Sequence, residues 1–213
     1  MRRTDAGVQL TKRLLQYRGA DTVVYALPPG GVVIGYTIAK LLGAPLDLVI
    51  PGRIKYPGDD EHTLCSLTED GKPICNGKEC KTVSATWLAQ RRIKEHNESR
   101  RTRAIYTGCY EPMSAEGKIA IIADDGITTG LTMRAAIQTI KKQAPAKIVV
   151  MCPVAPQSVK EILKEEGNEI IIHVLDYGSR DPIGAYSTRF PEVTDSEVME
   201  LLRRTHQRGE GPV

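Results

Sequence analysis

The chain reads as an α/β protein: a doubly wound, mainly parallel sheet carrying an inserted hairpin and long helix, with a small C-terminal hood. Three observations carry that expectation. Short apolar runs without alternation, such as 119–123, suit parallel strands covered on both faces. Such runs are followed by glycine-bearing loops and then by segments with apolar residues at helical spacing. The order strand, loop, helix, strand recurs, which implies right-handed crossovers between parallel neighbours.

Taken in order, Thr4 is placed to cap a first helix running to about Tyr17, with Val8, Leu10, Leu14 and Leu15 as its apolar stripe and Gly19 as its stop. A strand at 22–27 leads through Pro28-Pro29-Gly30-Gly31 into a helix from about Val32 to Leu42, closed by Gly43, and a second strand at 46–50. Between about 51 and 117 the pattern changes, as expected of an insertion. Residues 63–68 and 72–75 read as a hairpin around Glu69-Asp70-Gly71, because Asp-Gly suits a turn with positive φ. A long polar helix from Val83 to about Arg103 has few apolar anchors: Trp87, Leu88 and Ile93. The strand at 119–123 precedes a helix at 131–142 with Leu131, Met133, Ala136, Ile137 and Ile140 at helical spacing. Strands at 147–152 and 169–175 flank a helix near 157–164, and hood elements fall at about 175–193. Thr194 caps a final amphipathic helix bearing Val198, Met199, Leu201 and Leu202. Pro145 and Pro153 read as turns rather than linkers, so 1–213 is expected to be one domain.

Composition narrows the function classes. A net charge of +3 and a pI near 8.6 fit an anionic substrate without requiring nucleic acid. The basic run Arg91, Arg92, Lys94, Arg100, Arg101 and Arg103 reads as a solvated helix face or a loop over polyphosphate, since aromatics for base stacking are only 5% of the chain. No segment reaches the roughly 18 apolar residues of a membrane span, and 1–5 leads into a polar helix rather than a signal peptide, so the expected location is the cytoplasm. The five cysteines, Cys65, Cys75, Cys80, Cys109 and Cys152, are odd in number and lack CxxC spacing, which argues for free thiols. His62, Cys65, Cys75 and Cys80 share one short segment, and a zinc site there is the alternative, although the spacings are irregular for paired knuckles.

The segment 118–132 concentrates the chemistry. It joins a buried strand, two carboxylates and a glycine-threonine loop at the strand end where open α/β sheets bind ligands. Gly126 and Gly130 let the backbone approach an anion, and the N–H groups of Thr128 to Thr132 point at it with the helix dipole behind them. Hydroxyls of Thr129 and Thr132 add donors. Asp124 and Asp125 do not suit a phosphate, but a carboxylate accepts from both hydroxyls of a ribose diol. One loop can therefore grip a sugar and its 5′-phosphate.

Asp124-Asp125-Gly126-Ile127-Thr128-Thr129-Gly130-Leu131-Thr132 resembles the phosphoribosyl-pyrophosphate (PRPP) motif of type I phosphoribosyltransferases. The stretch 24–35, with Leu27-Pro28-Pro29-Gly30-Gly31, resembles the pyrophosphate loop of a subgroup of that family, whose pattern is A-L-P-R-G-G-V. Softer likenesses at 50–58, 69–71, 153–156 and 184–198 extend the match over most of the chain. The resemblance implies Mg²⁺-dependent transfer of a 5-phosphoribosyl group from PRPP to a nitrogenous base, pyrophosphate release, and a homodimer. It places ribose and 5′-phosphate on residues 124–132, with Asp124 and Asp125 as catalytic carboxylates, and pyrophosphate on Pro29, Gly30 and Gly31. It assigns no protein side chain as a metal ligand. Tyr177 and Tyr186 are its hood candidates for stacking on the base. Thr128 stands where 6-oxopurine enzymes carry an acid, which points away from hypoxanthine-guanine chemistry.

Two departures from the pattern matter. Pro29 replaces the arginine of P-R-G-G, and Tyr106-Thr107-Gly108-Cys109 replaces a Tyr-Arg-Gly-Gly element, so two bidentate phosphate partners are lost. Arg53, Lys55, Arg101 or Arg103 are the expected substitutes, with Arg53 and Arg103 foremost. Loss of catalysis with retention of the cradle, giving a PRPP- or nucleotide-sensing regulator, is the alternative these departures raise.

Overall fold

The parallel strands are buried on both faces, and their side chains sort into two cores by simple alternation. The computed structural model describes residues 3, 4, 8, 10, 12–108, 110–166, 168–176 and 191–206. Its main sheet has five parallel strands: β1 (Thr22–Ala26), β2 (Leu46–Leu48), β6 (Ile119–Ala123), β7 (Lys147–Pro156) and β8 (Glu169–Asp176). They lie side by side in the order β2-β1-β6-β7-β8. Val24 and Ala26 of β1 and Ile121 and Ala123 of β6 face one core, covered by α1 (Gly30–Leu42) and α5 (Asp195–His206). Val23, Tyr25, Ala120 and Ile122 face the other, covered by α3 (Leu131–Lys141) and α4 (Gln157–Glu165). Gly43 ends α1 in the left-handed conformation (φ 71°) and donates its N–H to the Ala39 carbonyl, as expected of a helix stop.

The insertion is a second, antiparallel sheet, with β3 at Gly52–Tyr56, β4 at Asp59–Leu67 and β5 at Pro73–Cys75, paired in that order. The β4–β5 turn closes with Gly71 at φ 82° and its N–H 2.8 Å from the Thr68 carbonyl. Strand β3 was not anticipated; its five residues lie between Pro51 and Pro57. Helix α2 (Ala85–Thr107) lies over this sheet, capped by Ser84, whose hydroxyl accepts from the Trp87 N–H.

Four expectations are corrected. Ile93 is 65% exposed and anchors nothing, whereas Trp87 and Leu88 do pack on Ile54, Leu64 and Leu67. This polar helix is held mainly by hydrogen bonds: His96 to the Glu69 carbonyl (2.9 Å) and Arg92 to the Gly71 carbonyl (3.1 Å). At the N-terminus, Arg3, Thr4, Val8 and Leu10 are helical, so Thr4 lies within the helix rather than capping it, and Lys12–Tyr17 is a 3-10 helix, whose three-residue period brings Leu14 and Tyr17 inward and leaves Leu15 exposed; Val8 is exposed as well. Cys65 and Cys75 are not free thiols but a disulfide, because β4–β5 pairing sets them directly opposite with Cα atoms 4.1 Å apart. Arg103, finally, is engaged by internal contacts. Its guanidinium donates to the Leu48 carbonyl (2.8 Å), Glu69 (2.8 Å) and Asp47 (3.3 Å), tying α2 and the insertion to the end of β2.

Asp47 also accepts from the Met113 N–H at 2.8 Å, so one carboxylate fixes both ends of the long excursion between β2 and β6. Replacing Arg103 by alanine removes the cation paired with the Asp47 side chain, which is only 7% exposed. Arg103→Ala is therefore expected to cost about 3 kcal/mol of unfolding free energy, read as a lower midpoint in urea denaturation.

Candidate active site

Two loops interlock where β1 and β6 end side by side. The β6 loop is pinned to β7 by the Asp124 N–H on the Met151 carbonyl and the Ile127 N–H on the Val154 carbonyl, both 3.0 Å. Gly130 starts α3 at φ 78°, and a Cβ there would meet Val159 at 2.8 Å, so only glycine fits on both counts. The β1 loop crosses over it through a cis Pro28–Pro29 peptide, with the Leu27 N–H on the Ala123 carbonyl at 2.9 Å. A Cβ on Gly31 would lie 2.7 Å from the Ala123 carbonyl oxygen, and one on Gly30 only 1.8 Å from Asp125 Oδ2. The Val32 N–H closes on the Pro29 carbonyl (3.2 Å), and Pro29 has none, so Gly30 and Gly31, both buried, hold this loop's remaining N–H donors.

Asp124 is buried and accepts the Asp125 N–H on Oδ1 at 2.8 Å. Burial pushes its carboxyl well above the ordinary value, the neighbouring Asp125 charge adds to this, and Arg53 opposes both. Asp125 accepts from Arg3 at 2.9 and 3.0 Å, and Arg3 also donates to the Pro191 carbonyl. The sequence reading missed Arg3. Nothing in its surroundings marks it, and only the charge missing at Pro29 gives reason to look for a guanidinium from elsewhere.

A cleft of about 210 Å³ opens over the β6 loop, floored by Asp124 to Gly130 and Thr132 and walled by Arg53, Lys55 and Thr63 of the inserted sheet. Of the residues expected there, Ile127 and Leu131 turn their side chains into the protein and offer backbone alone. The Thr129 hydroxyl accepts from the Leu131 N–H at 3.5 Å, and the Thr132 hydroxyl lies 3.2 Å from that of Ser66 on β4. A second cleft, also about 210 Å³, lies beside the Pro28-Pro29 turn and is bounded by Pro51, Ser99, Thr102 and Tyr106; Arg53 lines both. Arg53 and Lys55 thus reach the site, whereas Arg101 pairs with Glu98 on the surface. Arg91 lies over the Trp87 ring and Arg92 on the hairpin, so the basic run of α2 is partly spent on internal contacts. Tyr177 and Tyr186 lie outside the described residues. Cys152 is fully buried with its thiol pushed up by burial and by Asp124, which suits an inert packing group.

A family model described as the phosphoribosyl transferase domain matches residues 5–173. Two Mycobacterium tuberculosis proteins, each named "Putative phosphoribosyl transferase" (Rv0571c of strain H37Rv and MT0597 of strain CDC 1551), are 30% identical over 207 residues, 96% of this chain. The chain spans 46% of the length of those relatives. Among solved structures, TT1426 from Thermus thermophilus superposes with a TM-score of 0.75 at 28% identity, covering 96% of this chain and 99% of that one. A Neisseria gonorrhoeae protein solved with bound ppGpp shares the fold, with a TM-score of 0.50 at 12% identity over 97% of this chain and 92% of its own.

The raised Asp124 carboxyl has a stability consequence. The folded state holds this proton more tightly than the unfolded chain, so the carboxyl is tolerated at low pH and costs stability as pH rises from the ordinary carboxylate range through its raised value. Asp124→Asn removes that cost and keeps an oxygen for the Asp125 N–H. It is expected to raise Tm by roughly 2–4 °C at pH 8, with a smaller gain at pH 5, in paired thermal melts.

Proposed function

The chain belongs to the phosphoribosyl transferase domain family, and from that premise we propose that it transfers a 5-phosphoribosyl group from PRPP to a nitrogenous base, releasing pyrophosphate. The observation that carries the reading is the interlock itself. A carboxylate pair lies against the Gly30-Gly31 turn, beside an arginine that lines both neighbouring clefts. Displacement at C1′ builds positive charge on the ribose ring and negative charge on the departing pyrophosphate. Asp124 and Asp125 face the first charge and accept from the ribose hydroxyls. The N–H groups of the β6 loop and the first turn of α3 hold the 5′-phosphate. Gly30, Gly31, Arg53 and Lys55 face the second charge.

Magnesium is the cofactor this chemistry calls for, supplying positive charge that stabilises the leaving pyrophosphate. The donor set fits such an ion: two adjacent carboxylates, one of which burial and its neighbour's charge hold toward the protonated form, gain when a cation takes the place of the proton. Arg3 fills the role left by Pro29. The Asp125 oxygen that lies against Gly30 also accepts from Arg3, so the guanidinium stands beside the pyrophosphate loop. On binding, it exchanges Asp125 for phosphate oxygens and frees that carboxylate for the sugar. No helix among the described residues is long and apolar enough to cross a membrane. The reading retains one domain over 1–213, a homodimer and a cytoplasmic location.

Calorimetric titration with PRPP and Mg²⁺, followed by pyrophosphate release against purine, pyrimidine and small nitrogenous bases, tests the proposal. Binding with base-dependent release supports it; binding without release turns the reading to a sensor, and no binding removes it. Asp125→Asn is expected to abolish PRPP binding with an unchanged circular dichroism spectrum. Arg3→Ala is expected to lose about 1.5–3 kcal/mol of transition-state stabilisation, roughly 10- to 150-fold in kcat/KM for PRPP, with partial recovery in Arg3→Lys.

A further inference from the structure

The inserted sheet carries a group of residues that the phosphoribosyl site does not use. Cys65 of β4, Cys75 of β5 and Cys80 of the 3-10 turn Glu79–Thr82 bring their three sulfurs within 4.8 Å of one another. Cys65 and Cys75 form the disulfide already described, and Cys80 Sγ lies 3.3 Å from Cys65 Sγ. A cross-strand disulfide needs two sulfurs, and the third is unexplained by it. Cys80 is placed by its own hydrogen bond, N–H to the Asn76 carbonyl at 3.0 Å, so its turn presents the thiol to the pair. Cys65 is fully buried while Cys75 and Cys80 are half-buried, which gives a pocket closed at its base and open at its rim. Cys65 belongs to an apolar cluster with Ile54, against which Cys75, Cys80, Val83, Trp87 and Leu88 pack, and burial and the neighbouring Glu79 charge push the Cys80 thiol up.

We propose that, once the Cys65–Cys75 bond is reduced, the three thiolates form a tripod for one thiophilic divalent cation of the Zn²⁺ class. Zinc–thiolate bonds of about 2.3 Å set tetrahedral ligands about 3.8 Å apart, within the spread these sulfurs already show. The balance is simple. A dithiol reductant gives two electrons and two protons to the Cys65–Cys75 bond and becomes a disulfide. The cation then displaces three protons from Cys65, Cys75 and Cys80, and a solvent oxygen at the rim completes four-coordination. Either state, disulfide or metal, cross-links strands whose shared core contains only four fully buried residues, Ile54, Leu64, Cys65 and Leu67.

Full-length protein reduced anaerobically with a water-soluble phosphine, which becomes phosphine oxide, is titrated with Co²⁺ as an optical probe. One equivalent should bind with thiolate-to-cobalt charge-transfer bands in the near ultraviolet, and Zn²⁺ should displace it. The oxidised protein should show no such bands. Cys80→Ser, which can still form the Cys65–Cys75 disulfide and fold, should weaken binding by more than the roughly 10- to 100-fold typical of outer-shell partners; Cys75→Ser should do the same. Cobalt bound at Asp124 and Asp125 would lack sulfur bands. Absence of those bands in the reduced protein, or unchanged affinity in Cys80→Ser, overturns the proposal, and neither result bears on phosphoribosyl transfer.

Discussion

Two carboxylates in adjacent positions, one of them buried, set the terms for the rest of this molecule. Asp124 and Asp125 sit at the end of β6, where burial and mutual repulsion oppose charging both. The structure answers with backbone rather than bulk. Gly30 and Gly31 give up their side chains so that the neighbouring loop can close on the pair, and Arg53 and Arg3 arrive from distant segments with positive charge. The arrangement opposes full ionisation of the pair and favours positive charge beside it.

The inserted sheet is best understood from the same constraint. It rests on α3 through Ser66 and Thr132 and through the Glu69 N–H on the Thr139 hydroxyl, while Arg103 ties the Glu69 carboxylate to β2. In that position β3 presents Arg53 and Lys55 to the cleft. The inserted sheet therefore lines the cradle with Arg53, Lys55, Glu61 and Thr63, whereas the basic run at 91–103, read as a solvated helix face or a loop over polyphosphate, is helical. Of the two arginines foremost among the expected substitutes, Arg103 holds the inserted sheet in place and Arg53 lines the cleft.

What the sequence made legible follows from the range of the forces involved. β6 and the start of α3 fall at the residues read from the apolar run and the glycine-threonine loop, because strand burial, loop conformation and helix entry are all encoded within fifteen residues. The Cys65–Cys75 pairing depends on β4–β5 register, which a local reading of spacing does not resolve. The exposure of Ile93 and Leu15 reflects helices held by hydrogen bonds or wound with a different period, so apolar spacing misled there. Arg3 was invisible for a plainer reason: its partner lies 122 residues away.

That separation recurs at every level of the site. β1 pairs with β6 by matching Thr22 to Ile119, so the two loops meet only after the whole insertion has been accommodated between them. The inserted hairpin, by contrast, is built from near neighbours, Cys65 with Cys75 and Leu67 with Pro73. Closing long segments is entropically slower than closing short ones. The β1–β6 junction that forms the cradle is therefore expected to close after the inserted hairpin during refolding.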